Sequence, residues 1–255
     1  MNINFAELVE KAKAFETPAA PRKLVREMRA EKPMAAWIDH TILKPEAVPE
    51  QVEKLCKEAA QYHFASVCIN PVYVPLARRL LENSGVAVCT VVGFPLGATL
   101  SAAKVEETRL SIEAGATEID MVIPVGLLKG AQYTAVADDI QRIVETSHER
   151  GALVKVILEM ALLNHFEKIM GCLISQAVGA DFVKTSTGFG PGGATVEDVA
   201  LMRRVVGPGT GVKAAGGIRS LADAQAMLQA GATRLGTSAG VKIVEEEAAQ
   251  RAQPA

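Results

Sequence analysis

The sequence predicts a (β/α)8 TIM barrel preceded by an N-terminal helical extension, and three observations carry that expectation. Eight short apolar runs alternate with longer amphipathic segments from residue 36 onward. Glycine followed by alanine recurs where a helical pattern hands over to the next run, at Gly115, Gly179 and Gly231, which is the left-handed stop of a helix C-terminus. Hydrophobic residues make up 49% of the 255 positions, but aromatics only 4%, so the core rests on Ala, Val, Ile and Leu, as suits parallel strands covered on both faces.

Taken in order, residues 1–35 read as the helical extension. Phe5, Leu8, Val9, Ala12 and Phe15 recur at helical spacing, "TPAAP" (17–21) interrupts them, and Leu24, Val25 and Met28 suggest a second short helix. Residues 36–255 then form one barrel domain. Its strands are read as "AWID" (36–39), "SVCIN" (66–70), "AVCTVV" (87–92), "EIDMVI" (118–123), "LVKVILE" (153–159), "DFVK" (181–184), "GVKAA" (211–215) and "TRLGT" (233–237). Helical patterns lie between them, among them 49–62, 101–115, 164–179 and 220–231. An open doubly wound sheet is the rival architecture, but "AWIDHTILKP" offers no glycine-rich first turn.

Composition narrows the classes of function. A net charge of −2 gives no basic field for nucleic acid. Cys56, Cys68, Cys89 and Cys172 lack CxxC spacing and read as buried free thiols of a reducing compartment. The start of the chain has no apolar signal-peptide core, and "ALVKVILEMALL" is short and interrupted by Lys155 and Glu159. A cytoplasmic protein without membrane partners is expected. His40, His63, His148 and His165 show no metal-ligand spacing, so no metal is expected.

In such a barrel, functional groups gather at the carboxyl ends of the strands. Asp39, Thr41 and Asn70, Asp120, Lys155, Lys184 and Lys213 fall on or just after strands, where charge is costly to bury unless paired. Lys184 and Lys213 sit on consecutive strands; crowded in a dry pocket, two ammonium groups favour loss of a proton from one. A free lysine amine forms a Schiff base with a carbonyl. Asp120 reads as a general acid–base or as a structural partner of lysine, and Asp39 as a site residue or a loop cap. "AAGGIRS" (214–220) and "GTSAG" (236–240), with Thr187 and Ser238, suggest a phosphate site after strands seven and eight. An isomerase or epimerase using Asp120 alone, or a silent sugar-phosphate binder, remain rival readings.

"IDHTILKP", "VCINPVYV", "VVGFPLG", "EIDMVI", "DFVKTSTGF", "GVKAAGGIR" and "RLGTSAG" occur in this order between residues 38 and 240. Together they resemble the deoxyribose-phosphate aldolase family of class I aldolases. The resemblance implies reversible cleavage of 2-deoxy-D-ribose 5-phosphate to D-glyceraldehyde 3-phosphate and acetaldehyde, with no cofactor or metal, in a homodimer or homotetramer. It assigns Lys184 as the Schiff-base lysine, Lys213 as the second lysine and Asp120 as the relay aspartate. Asp39 and Thr41 would meet the sugar hydroxyls, and Thr187, Gly216, Gly217, Gly236 and Ser238 would surround the phosphate. Phe189 stands where some members carry lysine, Ala239 where a second serine is common, and the tail lacks the terminal tyrosine of some relatives. "LEMALL" and "IPVG" also depart from the family pattern, though none of these changes touches the lysines or Asp120.

Overall fold

The computed structural model describes residues 3–16 and 32–252. Its eight strands, all parallel, close in sequence order into a barrel. They are β1 (Ile38–Ile42), β2 (Ser66–Ile69), β3 (Ala87–Val92), β4 (Glu118–Val122), β5 (Leu153–Ile157), β6 (Phe182–Lys184), β7 (Gly211–Ala215) and β8 (Arg234–Thr237). The helices are α1 (Phe5–Phe15), α2 (Pro49–Tyr62), α3 (Val74–Leu80), α4 (Ser101–Glu113), α5 (Val125–Lys129) and α6 (Tyr133–His148), followed by α7 (His165–Ala177), α8 (Val196–Val206), α9 (Leu221–Ala230) and α10 (Gly240–Ala252). None of these is long and apolar enough to cross a membrane.

Every expected strand forms; β3 and β7 keep the expected ends and the other six shift. The first begins at Ile38 instead of residue 36, because Met34–Trp37 wind into a 3-10 turn packed on α10 and anchored by Met34 N donating to Glu247. The fifth stops at Ile157: Glu159 takes a left-handed backbone (φ 55°) and a 3-10 turn follows. The short helix α5 carries too few turns to show a period and was not expected. Of the two expected helices in the extension, α1 forms, capped by Asn4 and buried through Ala12; the one suggested by Leu24, Val25 and Met28 lies outside the described residues. His63 is the left-handed cap that ends α2, and His148 is the last residue of α6.

Strand alternation sorts the side chains. Outward-facing Val67, Ile119, Met121, Val154, Val156, Val183, Val212 and Leu235 are buried against the helices in one large apolar layer. Inward residues are of another kind: Asp39, Ser66, Glu118, Asp120, Lys155, Lys184 and Lys213 are all buried. Toward the mouth, Leu43, Cys68, Cys89 and Val91 form a separate small apolar cluster with Phe94 against it.

The loops that frame the mouth are pinned from outside. Buried Lys104 of α4 donates to Asp139 of α6 and to the carbonyl of Val122 at the end of β4. Gly93, after β3, donates to Glu107 of α4. Gly97 accepts a left-handed backbone (φ 66°), and a Cβ there would lie 2.0 Å from the carbonyl oxygen of Ile123. Gly97→Ala is therefore expected to cost about 1–3 kcal/mol through overpacking, read as a lowered urea midpoint at unchanged m-value.

Candidate active site

Asp120 lies at the centre of the barrel, on the inward face of β4. Its Oδ2 is 2.7 Å from Lys184 Nζ and 2.7 Å from Lys213 Nζ, and its Oδ1 is 2.8 Å from Lys155 Nζ. The three lysines come from β5, β6 and β7 at positions that share one face because side chains alternate along each strand. The ladder sets Asp120 beside Lys155, and Lys184 beside Lys213. A glycine at 236 makes room for the last of these: a Cβ there would stand 3.1 Å from Lys213 Cε.

Further carboxylates sit on the other side of the lysines. Lys155 Nζ is also 2.6 Å from Glu118 and 3.9 Å from Asp39; Lys213 Nζ is 2.5 Å from Asp39 Oδ2. Arg234 of β8 closes the group, donating to Asp39 Oδ1 at 2.6 Å and to both Glu118 oxygens at 3.2 Å. Its guanidinium also lies 5.5 Å from the Phe182 ring centroid. Ser66 donates to Asp39 Oδ1.

Electrostatics follow from these contacts. Burial works to raise the Asp120 carboxyl, but the fields of Lys155, Lys184 and Lys213 overcome it and hold the group well below the usual carboxylate range. Asp39 behaves alike: burial opposes ionisation, and Lys213, Arg234 and Lys155 prevail. On Lys213 burial favours the neutral amine, yet Asp120 and Asp39 together raise its pKa. This corrects the expectation that crowding by a second lysine governs Lys213; the carboxylates around it weigh more. Lys155 too is raised, against burial, by the carboxylates of Asp120, Glu118 and Asp39.

Cys68 and Cys89 point at the same carboxylate, donating to Asp120 Oδ2 at 3.9 Å and Oδ1 at 3.1 Å. Among the described residues they form with Asp120 the one trio whose ligand atoms approach within 4.8 Å of each other. The trio does not fit a metal ion, since three ammonium groups already surround its carboxylate.

The other expected site residues divide. Thr41 stands at the mouth end of β1, its hydroxyl donating to the Asp39 carbonyl. Asp39 itself is within β1 and fully buried, its carboxylate engaged by Ser66, Arg234 and Lys213; the structure makes it a support for Lys213 and not a loop cap. Gly236 faces the barrel interior. Thr187 is buried and donates its hydroxyl hydrogen to Glu159 Oε2, so that hydrogen is not free for an anion. Gly216 and Gly217 take consecutive left-handed backbones (φ 88° and 85°), Gly217 next to open space. Exposed Ser238 precedes the start of α10. Thr237 joins these two loops, its hydroxyl donating to the Ile218 carbonyl. The β6–α8 loop packs on them: Ala194 N donates to Gly216 O at 3.0 Å, and a Cβ on Gly193 would come 2.4 Å from that oxygen.

Glu118, Arg234 and the two thiols were not singled out from the sequence. The signal was present: Glu118 and Asp120, like Arg234 and Gly236, are two residues apart on one strand and so share its inward face.

Comparison with known proteins agrees with the motif resemblance. The family model described as "DeoC/LacD family aldolase" matches residues 33–246. Deoxyribose-phosphate aldolase of Streptococcus gordonii is 59% identical over 213 residues, covering 84% of this chain and 96% of the relative. That of Caldanaerobacter subterraneus is 58% identical over 214 residues, covering 84% and 93%. Among solved structures, the tetrameric deoxyribose phosphate aldolase of Aeropyrum pernix superimposes with a TM-score of 0.80 at 35% identity, covering 97% of this chain and all of that one.

The buried carboxylates tie stability to pH. Asp39 and Asp120 ionise in the fold below their ordinary value of 3.8, so their contribution is whole above about pH 4 and is lost as pH falls through the folded-state values. Asp39→Asn, which leaves Lys213 and Arg234 short of a partner, is expected to cost about 3–5 kcal/mol at pH 7. The gap to the parent protein should narrow below pH 4, as measured by urea unfolding at both pH values.

Proposed function

The chain belongs to the DeoC/LacD family of aldolases and is a carbon–carbon lyase, and we propose that Lys184 carries its chemistry, as an imine in the reversible cleavage of 2-deoxy-D-ribose 5-phosphate to D-glyceraldehyde 3-phosphate and acetaldehyde. The observation that supports this most directly is that Lys184 and Lys213 present their nitrogens to one oxygen of one buried carboxylate, each at 2.7 Å. Of the three lysines, Lys184 has the fewest carboxylate contacts and is the last residue of its strand, at the open end of the barrel.

The amine of Lys184 adds to the aldehyde carbon of the open-chain sugar, and loss of water leaves the iminium. Removal of the proton from the hydroxyl on C3 then breaks the C2–C3 bond, and the electron pair moves through C2 into the iminium to give an enamine. Asp120 and Lys213 form the relay for that proton and for protonation of the enamine carbon. Hydrolysis frees acetaldehyde and restores the amine. The apolar group of Leu43, Cys68, Cys89 and Val91 flanks Asp120 and keeps the two-carbon fragment away from water. Asp120 acting alone as the base of an isomerase suits the geometry less well, because three ammonium groups hold it as a weak base.

For the phosphate, the backbone N–H groups of Gly216 and Gly217, the Ser238 hydroxyl and the first turn of α10 supply donors and positive dipole. Thr187 serves instead by fixing the β6–α8 loop, accepting from Phe189 N while bound to Glu159. Thr41 is placed at the mouth for a sugar hydroxyl. We read the protein as a homo-oligomer, following the tetrameric relative, and as working in the cytoplasm, following its free buried thiols, which suit a reducing compartment.

Borohydride added with acetaldehyde should fix a two-carbon adduct on Lys184, located by peptide mass, and a chelator should leave turnover unchanged. Lys184→Leu is expected to abolish cleavage; turnover surviving in that variant contradicts the imine. Asp120→Asn should lower kcat by about 10²–10⁴-fold, as loss of proton transfer does.

A further inference from the structure

Seven ionisable side chains fill the barrel interior in one connected group. They are Asp39, Glu118 and Asp120 against Lys155, Lys184, Lys213 and Arg234. Fully ionised, the group carries four cations and three anions. An uncompensated charge in a buried, water-poor space is costly, and the cheapest relief is loss of one proton. Guanidinium does not give up its proton, so the relief falls to a lysine.

The contacts rank the lysines. Lys155 touches three carboxylates, at 2.6, 2.8 and 3.9 Å. Lys213 touches two, at 2.5 and 2.7 Å. Lys184 touches one, and shares that oxygen with Lys213. We propose that Arg234, at the opposite end of β8 from the mouth and outside the reacting group, is a positioning residue whose permanent charge keeps the Lys184 amine free. With Arg234 present, the group is neutral only when one lysine has lost its proton; without it, the group is neutral with all three lysines charged. The inference rests on the reading of Lys184 as the imine-forming residue.

Other groups facing this interior do not alter the count. From β2 and β3, Cys68 and Cys89 face Asp120, and Lys155 Nζ lies 3.2 Å from Cys89 Sγ. Burial pushes the Cys89 thiol well up. Although its hydrogen bond with Cys89 draws Cys68 down, a thiolate there would stand beside the Asp120 charge, which disfavours it. Ser66, also on β2, is neutral and donates to Asp39. At the rim beyond β5, Glu159 is occupied by Thr187 and pairs with none of the four cations. Lys104 and Asp139 form their own pair outside the barrel wall.

The test is the pH dependence of reductive trapping of acetaldehyde on Lys184 by cyanoborohydride, read by peptide mass; acetaldehyde has no titrating group of its own. Arg234→Met removes a positive charge and should move the acid limb of the profile up by about one pH unit, an approximately tenfold loss of trapping at a fixed pH on that limb. Glu118→Gln removes a negative charge from the same group and should move the limb down by about the same amount. Arg234→Lys keeps the charge without the two-pronged geometry and should leave the limb in place. Opposite shifts in the first two variants support the inference; limbs that stay put, or move together, overturn it. If Arg234→Met does not fold, the remaining pair decides: a lowered limb in Glu118→Gln with an unmoved one in Arg234→Lys supports the inference, and any other result overturns it. Failure of the parent protein to form an adduct on Lys184 refutes the imine assignment, a separate outcome.

Discussion

One carboxylate organises the interior of this barrel. Asp120 receives three ammonium groups, on two oxygens, in a space from which the surrounding strands exclude water. Burying such a cluster is a poor route to stability, because desolvation consumes much of the Coulombic gain and a well-packed apolar core of equal volume would serve as well. Its presence is understandable as chemistry under the proposed mechanism, in which a buried carboxylate brings two amines to one point, one to add to a carbonyl and the other, with the carboxylate, to handle protons. Everything else inside the barrel follows from keeping that arrangement intact. Asp39 and Glu118 satisfy the lysines from behind, Arg234 ties those two carboxylates together, and Gly236 leaves room for the stem of Lys213.

Division of labour between wall and mouth is equally physical. The wall contributes fixed charge from strands whose outward faces are locked into the aliphatic layer. At the mouth, the loops contribute backbone donors and small clearances. Gly190 against the carboxylate of Glu159, Gly193 against Gly216, and Thr237 against Ile218 make the loops after β5, β6, β7 and β8 support one another. The left-handed backbone of Glu159 belongs to this bracing: it turns a carboxylate back under the β6–α8 loop, where Thr187 meets it. Phe94 and Phe189 meet edge-on at 5.3 Å, joining the β3 and β6 loops above the small apolar cluster.

Much of this was legible in the chain itself. Eight apolar runs alternating with amphipathic segments, and glycine at the helix-to-strand joints, suffice for the barrel, because burying both faces of parallel strands leaves few other architectures. Lys184, Lys213 and Asp120 stood out for the same reason: charge in the middle of an apolar run needs an explanation. Less visible were partners whose role depends on distance across the barrel. Alternation puts Glu118 and Arg234 on the inward face, but nothing local tells which charges they meet there, and Thr187 looked like a free hydroxyl because Glu159, 28 residues earlier, is not its neighbour in sequence.

The sequence by itself determined which residues face inward and which chemistry they could supply, since alternation and side-chain type are local properties. Only the tertiary structure decided how the charges are shared. Closing the sheet sets β1 beside β8 and brings Asp39 to Arg234, 195 residues apart. The Coulombic field at each amine is a sum over all such neighbours, and it falls so steeply with distance inside a dry barrel that no reading of spacing along the chain can supply it.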